Sequence, residues 1–300
     1  MTSISIITPN YNYGHFLEQT LQSVLCQRYP MLEYIVMDDG STDNSVEIIK
    51  RYADRLAHWE TGPNRGQYAV ITEGFRKSTG EVMGWLNSDD MHLPYTLKAV
   101  AEIFEAFPEV EWITTMQPAF WDYKGMLLGC GHIDGFSKES FLDGRNFSPL
   151  TNRPVDIGKG IKLQGCLQQE STFWRRALWE KAGAYLSQDY GSAGDFELWC
   201  RFLRYAEPCG VATPLSGFRL QNQQQTAQRQ SYADGCLKAL RQARRDLGYK
   251  PNAMRSEAFR RNLTRPARLF ARYDYEGTRI VRANIDGPEA SWRRERHRFR

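Results

Sequence analysis

Three hundred residues, 41% of them hydrophobic, are enough for one large or two modest domains with a sizeable core. The longest apolar runs are about five residues, which excludes a bilayer-spanning helix from the sequence. The net charge of +4 is uneven: residues 236–300 hold 18 Lys and Arg against 7 Asp and Glu, so an acidic body precedes a basic tail.

In chain order, Met1 to Pro9 has no basic n-region and no cleavage site and runs straight into a strand, so a cytoplasmic protein is expected. Ile4, Ile6 and Ile7 mark that strand over 3–8, and Pro9 is expected to end its pairing. Phe16, Leu17, Thr20, Leu21, Val24 and Leu25 recur at helical spacing and predict a helix over 14–27. A second strand follows over 33–38. Asp43 or Asn44 can cap the next helix, with Glu47 placed to complete a capping box on Asn44.

The alternation continues with a short strand at 58–60, a turn cluster at 62–66, a helix over 67–78 and a strand over 81–87. A helix near Pro94 with the stripe Leu97, Val100, Ala101, Phe104 and Phe107 leads to a strand over 112–116. Strands alternating with helices across short loops predict an α/β fold with a mostly parallel, right-handed sheet. From 117 to 165 the pattern loosens into loops and short strands, where substrate-specific insertions usually lie. Helical spacing resumes at 177–182, near Phe196, and beyond Ser231. The expected organisation is therefore 1–116 and 117–230 as two halves of one domain, followed by a basic helical extension over 231–300.

The six cysteines (Cys26, Cys130, Cys166, Cys200, Cys209, Cys236) form no Cys-x-x-Cys pair and read as reduced thiols. The five histidines (15, 58, 92, 132, 297) form no metal spacing. Chemistry concentrates instead in two acidic stretches, Asp38 to Asp43 and Asn87-Ser88-Asp89-Asp90, each closing an apolar run that reads as a strand. Carboxylates at strand carboxyl ends sit where open α/β sheets bind ligands.

Ile-Ile-Thr-Pro-Asn-Tyr-Asn (6–12), Met-Asp-Asp-Gly-Ser-Thr-Asp (37–43), Asn-Arg-Gly (64–66) and Trp-Leu-Asn-Ser-Asp-Asp (85–90) occur in this order, and in it the chain resembles a family 2 glycosyltransferase over roughly residues 3–230. The resemblance implies a GT-A fold, an inverting mechanism and a nucleotide diphospho-sugar donor, with a UDP-sugar favoured. It implies that Thr8, Pro9 and Tyr11 hold the base, that Asp39 accepts from a uracil-type imide N–H, and that Arg65 lies near base or phosphates. Asn87 and Ser88 fall in the same nucleotide site. Asp89 and Asp90 match the metal motif, with Mg²⁺ or Mn²⁺ as the ion and the direct ligand left open between them. Gln169 and Glu170 resemble the family's acceptor-side segment, and Asp195 stands at the position of its catalytic base. Arg219 and Gln221 face acceptor or phosphate; Gln221 stands where the family often has a histidine, which weakens a third protein ligand.

The implied acceptor is a glycan or lipid-linked hydroxyl. The basic tail reads either as a solvated segment or as a peripheral contact with an anionic membrane; nucleic acid is not expected. Two other readings compete with this one. Asp38-Asp39-Gly40-Ser41 superficially resembles a haloacid dehalogenase loop, but position 37, where that nucleophile belongs, is Met. A nucleotide-sugar-binding protein without turnover is the other, favoured by Gln221 and Asn87.

Overall fold

The computed structural model describes residues 1–146, 167–221, 229–252, 275–287 and 290–299. Its first half follows the expected alternation: β1 (Ile4–Asn10), α1 (Gly14–Leu25), β2 (Leu32–Asp38), α2 (Ser45–Tyr52), β3 (His58–Thr61), α3 (Gln67–Lys77), β4 (Val82–Trp85), β5 (Met91–His92), α4 (Thr96–Ala106) and β6 (Trp112–Thr115). Next come β7 (Ala119–Trp121), β8 (Leu127–Cys130), α5 (Lys138–Leu142), β9 (Thr172–Arg175), α6 (Arg176–Lys181), α7 (Gly194–Phe202), β10 (Cys209–Val211) and β11 (Ser216–Arg219). The chain continues through α8 (Arg229–Asp246), β12 (Tyr275–Ala283) and β13 (Ser291–Phe299).

Nine strands form the central sheet in the order β13-β12-β10-β6-β9-β4-β1-β2-β3. β3, β2, β1 and β4 run parallel, as do β6, β10 and β12; β9 is antiparallel to both β4 and β6, and β13 is antiparallel to β12. β9, from the second half of the chain, thus lies between strands of the first half. A smaller sheet, β5-β11-β7-β8, stands beside it.

Pro9 does not end β1, which runs to Asn10. The Ile7 carbonyl accepts from Leu86 N–H at 2.9 Å, so Ile7 and Pro9 both point their backbone groups toward β4. Pairing with β4 stops at Ile7, so the N–H that proline lacks has no ladder partner to lose.

Apolar side chains pack on both faces of the sheet, as a doubly covered parallel sheet requires. On one face, Trp199 of α7 stacks between Trp85 and Trp112, with Trp174 meeting it edge-on. The Asn44–Glu47 capping box does not form. Asp43 instead takes the N–H groups of Ser45 (3.0 Å) and Gly14 (2.9 Å), joining the starts of α2 and α1.

Among the described residues of the tail, the expected helix is found only in α8. Residues 275–283 and 291–299 form a β-hairpin that extends the central sheet at β10. Its arginines are largely matched by acids: Arg279 and Arg293 on Glu295, Arg296 on Glu276, Arg282 on Glu102 and Arg294 on Glu109. The hairpin is therefore an added sheet edge whose exposed arginines carry surface ion pairs. Residues 253–274, which carry more of the tail's arginines, and much of the 117–165 insertion (147–165) lie outside the described residues.

Candidate active site

A cavity of about 610 Å³ opens between the carboxyl ends of β1, β2 and β4 and the start of α7. Asp39, Asn87, Ser88, Asp89, Gln169, Glu170 and Asp195 all line it, together with Pro9 and Tyr11. Residues as far apart in sequence as Pro9 and Asp195, 186 positions, therefore converge on one pocket.

On the β1–β2 side, the adjacent acids divide their work. Asp38 is enclosed by its own loop, accepting from Asn10 (2.8 Å), Ser41 N–H (3.0 Å) and Thr61 (2.7 Å). Asp39 turns to the cavity and accepts the backbone N–H of Arg65 (2.8 Å) and of Gly66 (2.9 Å), one on each oxygen. A carboxylate oxygen has two lone pairs, so each retains acceptor capacity. Gly66, at φ +90°, adopts the left-handed backbone that this turn needs.

Two expected contacts are displaced here, those of Thr8 and of the Arg65 side chain, while Tyr11 stays at the cavity. The Thr8 hydroxyl is buried against Tyr34 Oη at 2.9 Å and does not reach the cavity. Arg65 brings its main chain to Asp39, while its guanidinium extends toward Glu60 at 3.6 Å, where the opposite charge holds it. Tyr11 is 44% exposed at the rim, with its ring open to a stacking partner.

At the end of β4, Asn87 is held by amides. Its Oδ1 accepts from Gln67 (2.8 Å) and its Nδ2 donates to Gln169 (3.2 Å), whose own Nε2 donates to the Trp85 carbonyl (2.8 Å). The Asn87 oxygen already has one donor and is neutral, so it offers a cation less than the Asp89 carboxylate does. Asp89 faces the cavity, and its Oδ2 accepts from Gln221 Nε2 at 2.9 Å; Gln221 also meets the Tyr13 hydroxyl at 3.3 Å. Burial raises the Asp89 carboxyl above its usual range.

Asp90 points away from the cavity. It is fully buried and accepts the backbone N–H of Arg219 at 2.9 Å, which fastens the acidic turn to β11. Burial first, then the charges of Asp89 and Glu170, push its carboxyl well above the ordinary range. Arg219 is likewise absent from the cavity wall. Its Nε donates to the Asp89 carbonyl (2.6 Å), its Nη1 to the Tyr123 carbonyl (2.9 Å), and its guanidinium lies 4.7 Å from the Phe16 ring centre. It braces the acidic loop from behind, and the expected phosphate fork is not presented to the pocket.

The opposite wall carries two perturbed acids. Burial pushes the Asp195 carboxyl up to about 6. Asp195 is the second residue of α7 rather than its N-cap, which is Ala193. Its Oδ1 accepts the Phe196 N–H at 2.7 Å. Glu170 is 3% exposed and pushed up to about 8, by burial first and then by the charges of Asp89 and Asp195.

Tyr68 and Gln67, which sequence reasoning did not single out, also line the pocket. The Tyr68 hydroxyl donates to the Ser192 carbonyl (2.7 Å) and accepts the Gly194 N–H (3.1 Å), clasping the start of α7. A Cβ at Gly194 would lie 2.7 Å from the Tyr68 ring, so only glycine permits this approach. The signal available in sequence was their place in the first turn of the helix that follows Asn64-Arg65-Gly66.

Among the described residues, no three His, Cys, Asp or Glu side chains cluster as a metal cage. Mg²⁺-like ions need only one or two carboxylates when substrate phosphates and water complete the shell. Asp89 at the wall satisfies that requirement, so the donor set fits a cation shared with a diphosphate and not an all-protein site.

A parallel sheet with acids converging at its carboxyl edge, next to an antiparallel β9, defines a nucleotide-sugar-type α/β enzyme fold. The family profile described as Glycosyl transferase family 2 matches residues 5–147, and that region belongs to the family 2 glycosyltransferases. An uncharacterized glycosyltransferase of Nostoc is 38% identical over 106 residues, 34% of this chain and 33% of the relative. The chain thus spans about a third of that relative's length. Among solved structures, Staphylococcus aureus TarS 1–349 in complex with UDP-GlcNAc superposes with a TM-score of 0.56 at 18% identity, covering 75% of this chain and 60% of that one. A Pyrobaculum calidifontis mannosyltransferase in complex with GDP-Man and Mn²⁺ gives 0.52 at 16% identity, covering 90% and 83%. These structures share the GT-A fold with this chain.

Proposed function

We propose that this chain is an inverting glycosyltransferase that moves a sugar from a nucleotide diphospho-sugar, a UDP-sugar above others, to a hydroxyl of a glycan or lipid-linked acceptor. The observation that carries the reading is the convergence of Asp39, Asp89 and Asp195 on one cavity. Asp39 and Tyr11 face the base, and Asp89 faces the diphosphate. Asp195 takes the proton from the acceptor hydroxyl; that oxygen attacks the anomeric carbon from the face opposite the diphosphate. The carbon–oxygen bond to phosphate breaks, and the nucleoside diphosphate leaves with the electron pair.

A Mn²⁺ or Mg²⁺ ion held by Asp89 and the diphosphate would offset the charge that develops on the leaving group. The sugar-nucleotide complexes of TarS and the Pyrobaculum enzyme support the donor class, and the latter's Mn²⁺ supports the ion. An Asp195 carboxyl near 6 supports the base, because it is ionised at neutral pH yet more basic than an ordinary aspartate.

Incubating the protein with UDP-, GDP- and dTDP-sugars and Mn²⁺, and following nucleoside diphosphate release with and without sugar acceptors, tests the reading. Nucleotide binding without release from any donor would favour a binding protein instead.

A further inference from the structure

Glu170 is the wall residue whose surroundings glycosyl transfer alone leaves unexplained, and the inference drawn from it rests on that reading. Its side chain is almost wholly buried, it lines the cavity, and its Oε1 meets no hydrogen-bond partner among the described residues. The two residues before it are tied into the protein: Gln168 donates to the Ala119 carbonyl (2.9 Å) and accepts from Ser171 (2.8 Å), while Gln169 bridges Asn87 and the Trp85 carbonyl. Gln168 also acts on the Glu170 carboxyl as a hydrogen-bond partner, and Oε1 is the oxygen left unmet. Buried polar oxygens are rarely left unpaired, so an orphan at a cavity wall points to a group supplied from outside the chain.

Glu170 shares the cavity wall with Asp89, on the diphosphate side, and with Asp195, on the acceptor side, and both charges act on it. The carbon that passes from diphosphate to acceptor must travel between those two acids, so Glu170 borders the path of the sugar ring. A sugar hydroxyl both donates and accepts, so it can pair with the Glu170 carboxyl whether or not that carboxyl holds its proton.

We propose that Glu170 reads the transferred sugar, its Oε1 accepting a hydrogen bond from a ring hydroxyl of the donor, which makes it a specificity-determining residue and neither a phosphate nor an acceptor contact. A pocket built around a substrate hydroxyl discriminates strongly, because without that hydroxyl a buried oxygen stays unpaired.

Calorimetric titration of the full chain with Mn²⁺ tests this, using UDP, GDP, UDP-glucose, UDP-galactose, UDP-GlcNAc and GDP-mannose on the wild type, Glu170→Gln and Glu170→Leu. At least one sugar nucleotide should bind the wild type more tightly than its bare diphosphate. Glu170→Leu should weaken that sugar nucleotide roughly 10- to 100-fold while leaving the diphosphate unchanged, as loss of one buried hydrogen bond predicts. Glu170→Gln, which keeps an acceptor oxygen, should retain most of the preference. Unchanged diphosphate affinity also certifies that the leucine variant is folded.

Equal losses for sugar nucleotide and diphosphate, or no loss for either, would overturn the assignment of Glu170 and leave glycosyl transfer standing. So would a wild type that does not distinguish the sugar nucleotide from its diphosphate. Failure of the wild type to bind any of the six compounds would overturn both.

Discussion

Trp85 and Trp199 stack with ring centroids 5.9 Å apart and planes 13° from parallel. Trp85 ends β4 two residues before Asn87, and Trp199 lies one helical turn beyond Asp195. One aromatic contact therefore sets the spacing between the acidic turn and the base. Trp112 covers the other face of Trp199 at 5.7 Å and 16°, leaving the indole no room to shift.

Truncating that side chain should loosen the site and the fold together. Trp199→Ala is expected to cost about 3–5 kcal/mol, the usual range for emptying a large aromatic site in a core. Urea denaturation followed by circular dichroism measures it. A midpoint within error of the wild type would mean that the stack does not support the core.

Asp39 has two jobs, and its loss should separate them. Asp39→Ala frees the N–H groups of Arg65 and Gly66 as well as removing the acceptor that faces the base. Nucleotide affinity should fall roughly 10-fold or more, consistent with about 1.5–3 kcal/mol for a hydrogen bond to a charged group. Asp39→Asn keeps an acceptor oxygen and should recover part of the affinity. Equal calorimetric affinities for UDP in wild type and alanine variant would remove Asp39 from base recognition.

The strand ends that deliver Asp39 and Asp89 were legible because an apolar run broken by acids has few other readings in an α/β chain. The resemblance singled out Asp39, which lines the cavity, but left the choice between Asp89 and Asp90 open. Asp38 and Asp90 differ from their neighbours only in the partners that fold around them, Ser41 and Thr61 for one and the Arg219 backbone for the other. Arg219 looked like a phosphate fork because composition cannot reveal that its Nε and Nη1 donate to the carbonyls of Asp89 and Tyr123. The terminal hairpin was hidden for a related reason. Arginines stand on both faces of β13, erasing the apolar alternation that signals a strand, and the hairpin's ion partners include acids as distant as Glu102 and Glu109.

The grip of Tyr68 on α7 predicts a rate effect without a binding effect. Tyr68→Phe removes the hydroxyl that joins the Ser192 carbonyl to the Gly194 N–H, while keeping the ring that packs on Gly194. Asp195 should then wander from its working position, lowering kcat several-fold with little change in KM for the donor. A larger rise in KM than fall in kcat would instead place Tyr68 in donor binding.

Asp195 couples activity and stability to pH in opposite directions. As a base it must be ionised, so kcat/KM should fall as pH drops through about 6, and Asp195→Asn should lower transfer by about 10²–10⁴-fold with UDP affinity retained. Its folded-state carboxyl titrates above the ordinary aspartate range, so the folded protein holds this proton where the unfolded chain has already released it. Between the ordinary aspartate range and about pH 6, stability therefore falls as pH rises, and the deficit persists above that window. Glu170, pushed up to about 8, extends the same trend toward higher pH. Asp195→Asn cannot ionise and should melt higher than wild type at pH 7, with the difference shrinking toward pH 4. Melting curves at pH 4, 5, 6 and 7 check this. A variant that melts lower than wild type at pH 7 would mean that the Asp195 carboxylate stabilises the fold, contrary to a carboxyl raised by burial.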